Sequence, residues 1–150
     1  MVKTLHPIAG AAALVTIITF WMATVLSELF ASEPMVVAVK TTIPWGFILL
    51  IPLLAAAGGS GFLLARGRRA GLVGLKAKRM PLIAGNGILI LVPAALFLAC
   101  KAERTDFDGV FYAVQGIELL AGAINIMLLA LNMRDGLKMR RGRLRRLPVG

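Results

Sequence analysis

Four apolar runs govern what this chain can become: residues 7–30, 43–65, 80–100 and 109–133, each 21 to 25 residues long. At about 1.5 Å rise per residue, each is long enough as an α-helix to cross the roughly 30 Å of a bilayer's hydrocarbon core. A backbone in lipid has no water to bond, so such runs close their hydrogen bonds internally as helices. There is no internal repeat and no β-type alternation of useful length. The chain is 59% hydrophobic and 16% charged, with a mean hydropathy of +0.85. Soluble domains average about 25% charged residues. At 150 residues the chain is one domain. The fold expected is an all-α integral membrane protein, a compact bundle of four transmembrane helices.

Prolines and aromatics punctuate these runs. Pro7, Pro44 and Pro81 fall near span starts, where a missing N–H costs nothing, and Trp45 suits an interfacial anchor. Pro52 and Pro93 lie inside spans and should kink them. Residues 31–42 read as a connector whose 35–40 portion is an interfacial turn or the lead-in to the second span. Residues 66–79 read as a basic loop, 101–108 as a mixed-charge connector and 134–150 as a basic tail. The first run exceeds the apolar core of a signal peptide, and Glu28 precedes its one Ala/Ser-type cleavage candidate, so it is expected to be retained.

Charge orients the bundle. Lys3, the 66–79 loop and the tail hold fourteen bases against one acid, Asp135. The other connectors and the fourth span, with Glu28 at the far end of the first run, hold three bases against six acids. The positive-inside rule puts the basic side and both termini in the cytoplasm, as in a bacterial-type inner membrane. Arg66, Arg68, Arg69, Arg140 and Arg141 are then placed to meet anionic lipid headgroups, at about 1 kcal/mol per residue. Nucleic acid is disfavoured as a partner, since no aromatic is interleaved with the bases for stacking.

Polar chemistry concentrates in the fourth span. Glu118, Asn125 and Asn132 are seven apart, Gln115 is three before Glu118, and Gly122 is four after it. On a helix these share one face. Glu118 falls roughly 14 Å below the outer end of the span, close to mid-membrane. An unpaired carboxylate there is costly. With residues 31–42 outside the membrane, no base lies within any span to meet it. Glu118 is therefore expected as a neutral acid hydrogen-bonded to a neighbouring helix, as a proton relay, a donor to a quinone carbonyl or a carrier site. Thr16 and Thr19 of the first span reach similar depth. The simpler role for the stripe is interhelical glue.

A second constellation lies at the cytoplasmic ends of the spans. It comprises His6, residues 58–61 with Gly59 and Gly61, and Asn86 between Gly85 and Gly87. Small residues let helices pack closely or leave room for a flat ligand. His6 is a candidate ligand for haem iron, alone, with Met127 or Met133, or shared between two copies of the chain. Cys100 is the one cysteine, so no intrachain disulfide can form. No complete catalytic constellation is present. Three functions fit: an accessory or scaffold subunit of a larger membrane complex, a redox protein holding haem b or quinone near His6 and the stripe, or a proton-coupled carrier or channel centred on Glu118 and working as an oligomer.

Overall fold

The computed structural model describes residues 2–65 and 71–144, and all of its regular structure is helical. Helix α1 spans Val2–Phe30, α2 Glu33–Ala65, α3 Gly71–Asn86, α4 Val92–Glu103 and α5 Gly109–Leu144; a π-helical turn, Gly87–Leu91, joins α3 to α4. The third apolar run is thus one continuous rod of α3, π turn and α4. Four stretches are long and apolar enough to cross a membrane: Thr4–Phe30, Glu33–Leu63, Lys78–Glu103 and Gly109–Lys138. Large apolar side chains, among them Trp45, Ile48, Phe62, Leu89 and Leu120, point outward from them. The protein is an integral membrane protein built as a four-helix bundle.

The helices run longer than the apolar runs that announce them. The connector after the first span is only Ala31 and Ser32. Ser32 caps α2: its carbonyl accepts from the N–H groups of Met35 and Val36 at 2.9 and 3.1 Å. Glu33 and Pro34 then occupy the first turn, where an acid suits the helix dipole and a proline gives up no bond. As a result residues 35–42 are helical and belong to the second span. At the other end, residues 71–79, read above as loop, form the first turns of α3.

The π turn has a local cause. Pro93 carries no N–H, and in a regular α-helix its ring would collide with the carbonyl four residues back. The chain widens instead, so that the Val92 N–H bonds to the Gly87 carbonyl, five residues back.

Neighbours run in a ring: α1 packs on α2, α2 on the α3–α4 rod, the rod on α5, and α5 on α1. The backbones of α2 and α5 do not meet among the described residues, so these helices stand at opposite corners. Two apolar layers fill the centre. Ala13, Ile17, Leu50, Ile83 and Leu129 form the layer nearer the termini. Leu98, Ala102 and Phe111, with Val37, Phe107 and Val114 beside them, form the layer nearer the 31–32 and 104–108 connectors. Glycine permits a close approach on α2: a Cβ on Gly46 would lie 2.1 Å from the Phe20 ring, so the ring sits directly on the α2 backbone.

The 104–108 connector is tightly specified. Helix α4 ends with the Asp106 N–H on the Lys101 carbonyl and the Thr105 N–H on the Ala102 carbonyl, both at 3.0 Å. That pair of bonds is a Schellman motif, which puts its penultimate residue in the left-handed region. Here that residue is Thr105, with φ of 50°. Asp108 caps α5, its Oδ1 accepting from the Phe111 N–H at 2.8 Å and its Oδ2 from the Lys101 ammonium at 2.7 Å. The bond from Lys101, followed by the Phe111 N–H, holds the Asp108 carboxyl below the usual carboxylate range. A β-branched residue is costly at positive φ and glycine is not. Thr105→Gly is expected to stabilise the protein by about 1 kcal/mol, read as a raised thermal midpoint in detergent.

Candidate functional site

The polar face of α5 does point inward. Gln115, Asn125 and Asn132 are 6%, 1% and 5% exposed, and the Glu118 side chain is 12% exposed. Each other span of the chain reaches this face. From α1, the Trp21 indole N–H donates to the Leu119 carbonyl at 2.9 Å, the ring lying against Gly122. From α3, the Asn86 amide donates to the Ala121 carbonyl at 2.8 Å and to Asn125 Oδ1 at 3.0 Å, while Asn125 Nδ2 donates to the Ile83 carbonyl at 3.4 Å. Met80 Sδ accepts from Asn132 Nδ2 at 3.4 Å.

The contact from α2 overturns an expectation. Glu118 is not a lone acid: Lys40 Nζ stands 2.9 Å from its Oε2. The several polar groups of residues 31–42 suggest a connector, which would leave Lys40 outside the span. The early start of α2 instead puts it two turns inside the span, 1% exposed. Ser32-Glu33-Pro34 is the helix-start signal that places it there. The ammonium also lies 6.0 Å from the centre of the Phe111 ring, within cation–π range.

The pair crosses the bundle axis, since α2 and α5 are at opposite corners. Phe111, Gln115 and Glu118 follow one another at helical spacing, and Lys40 touches the first and last. Gln115 therefore faces the same interior space, and its Oε1 is buried with no hydrogen-bond partner. On the third span, Asn86 lies opposite Ala121 and Leu98 packs with Phe111. The π turn falls between those two contacts, at about the height of Glu118. Thr24 and Ser27 of α1 are also buried toward this end. The site is thus a small cluster of buried polar side chains between two apolar layers. Thr16 and Thr19 take no part, their hydroxyls donating to the Ala12 and Val15 carbonyls of their own helix.

At the other end, His6 Nδ1 lies 2.9 Å from the Ala57 carbonyl and 3.2 Å from Ser60 Oγ. A carbonyl only accepts, so Nδ1 carries the proton. The ring rests on Gly61, where a Cβ would come within 3.0 Å of Cε1. His6, Ser60 and Gly61 thus meet at the α1–α2 seam. Gly59 touches nothing within 4 Å of its would-be Cβ, and Asn86 belongs to the α3–α5 contact. Met127 and Met133 turn outward. A second ion pair joins Arg79 to the buried Asp135 at 2.7 Å, tying α3 to α5. Arg66, Arg68 and Arg69 lie outside the described residues, as do the side chains of Arg140 and Arg141 on α5.

Fold and site together define a four-span membrane protein with a buried ion pair across its axis. No protein family, curated protein or solved structure matches the chain.

Removing one partner of a buried pair strands the other charge, whereas removing both is often near neutral. Glu118→Leu is expected to lower stability by about 3–5 kcal/mol. The double variant Lys40→Met with Glu118→Leu should recover most of that loss in thermal unfolding in detergent. A double variant as unstable as the single one would remove the pair from its place in the fold.

Proposed function

We propose that the protein is an accessory or scaffold subunit of a larger membrane complex, lodged in a bacterial-type inner membrane with both termini in the cytoplasm. The observation that carries this reading is how α5 uses its polar face. Lys40, Asn86 and Trp21, from the three other spans, all bond to it. The helix serves as a post to which the other spans are tied, and much of what remains outside is an apolar surface suited to lipid or to partner helices. The orientation rests on the charge asymmetry, fourteen bases on the side of the termini against Lys101 and Arg104 in the connector on the other. The basic side also suits anionic headgroups. In native membranes solubilised gently, a tagged chain is expected to migrate well above its own mass, with its C-terminal tag reachable only from the cytoplasmic face. Migration as a free monomer, or a tag exposed on the outer face, would refute the corresponding part of the proposal.

A second reading, a proton-coupled carrier or channel centred on Glu118, is favoured by one observation. The Lys40–Glu118 pair is on the bundle axis, and the Gln115 oxygen beside it has no partner. Ionisable residues within spans are rare and mark proton and ion pathways. On this reading, vesicles carrying the wild-type protein and an internal pH dye acidify faster after an acid jump than vesicles carrying Glu118→Gln. Equal rates would dismiss it.

A further inference from the structure

We infer that Lys40, Gln115 and Glu118 form a proton-binding site in which Gln115 Oε1 accepts a hydrogen bond from the O–H of neutral Glu118. This deepens the proton-coupled reading and rests on it only for its use, since the site can bind a proton whether or not the chain carries anything.

The argument starts from an unsatisfied atom. Gln115 is 6% exposed, and its Oε1 is buried without a partner. A stranded acceptor of this kind costs about 1–3 kcal/mol, and native interiors hold few of them. An ionised carboxylate offers it nothing, being an acceptor only. A protonated carboxyl carries one O–H donor, which needs an acceptor of its own. Gln115 is three residues before Glu118 on α5, so the two Cβ atoms are about 5–6 Å apart. Helical side chains lean toward the N-terminal turn, which sets the Glu118 carboxyl over the turn that bears Gln115. The acceptor left unused while Glu118 is paired with Lys40 is the one its neutral form requires.

Few titratable groups surround Glu118 among the described residues, and one of them, Glu28, also has a buried oxygen without a hydrogen-bond partner. Lys40 faces Glu118 from α2. On α1, Trp21, Thr24 and Ser27 stand near, and the nearest titratable group is Glu28, toward the outer end. The third span has no titratable residue between Arg79 and Cys100, and Cys100 is exposed. On α5 the one other titratable group between Gly109 and Met133 is Tyr112, which is exposed.

The step balances simply. A proton adds to the Glu118 carboxylate, its O–H donates to Gln115 Oε1, and the charge-assisted contact with Lys40 is given up. The site gains one positive charge, now carried by Lys40 alone beside the Phe111 ring. Loss of that contact removes a polar tie between α2 and α5, whose backbones do not meet among the described residues. Lys40 lies seven residues, about 10 Å, below the first residue of α2, so its flexible stem can then lead the charge toward the outer interface.

Infrared difference spectra of the protein in vesicles, recorded between neutral and acid pH, test the site. The wild type should gain a carboxylic acid C=O band on acidification that is absent from Glu118→Gln. Should that variant fail to fold, the double variant Lys40→Met with Glu118→Gln, which buries no charge, serves as the same blank. In Gln115→Leu the band should rise in frequency toward that of an acid with no acceptor. No Glu118-dependent band, or a band unmoved by Gln115→Leu, overturns the inference. The pH-dye measurement separates the two ideas. The band without faster proton entry keeps the site and ends the carrier reading; Glu118-dependent entry without the band keeps the carrier reading and ends the site.

Discussion

One contact crosses the middle of this bundle. The Lys40–Glu118 pair joins two helices whose backbones make no contact among the described residues, in a region where a lone charge of either sign is costly. Neighbouring helices hold together through small residues, aromatic edges and amide bonds, each worth little singly. The diagonal is different: it is spanned by a long side chain and a carboxylate, and depends on both being charged. Burial makes the pair a specific constraint on the relative height of α2 and α5, because a shift of either helix along its axis would leave two charges without partners.

The seams around that axis share a design. A polar group on one helix bonds to a backbone carbonyl or amide side chain on the next: Trp21 to Leu119, Asn86 to Ala121 and Asn125, His6 to Ala57. Backbone carbonyls in a helix retain acceptor capacity after their own ladder bond, so they can serve as anchors without disturbing the helix.

Much of this was legible in the chain. Four apolar runs announce four spans, and the seven-residue spacing of Glu118, Asn125 and Asn132 announces a buried face. The partner of Glu118 was not legible from periodicity, because pairing between distant helices leaves no mark on either one alone. It was further hidden by a composition effect. Lys40 and its polar neighbours look like a connector, yet a helix start at Ser32-Glu33-Pro34 carries them inside. Asn86 illustrates the same limit: its flanking glycines suggest space for a ligand, while the fold spends its amide on α5.

The π turn in the third span has a geometric consequence. Asn86 and Leu98 are twelve residues apart, and at 3.6 residues per turn they would differ by about 120° around the rod. Both nonetheless face the bundle interior. One additional residue taken up in the widened turn reduces the effective separation to eleven steps, or about 20°. The segment is a phase corrector that lets the lower half of the rod present an amide and the upper half a leucine on the same side. Its outward residues Ile88, Leu89 and Ile90 are free to vary in shape, but their number is not: removing one would turn half of the third span away from the other helices.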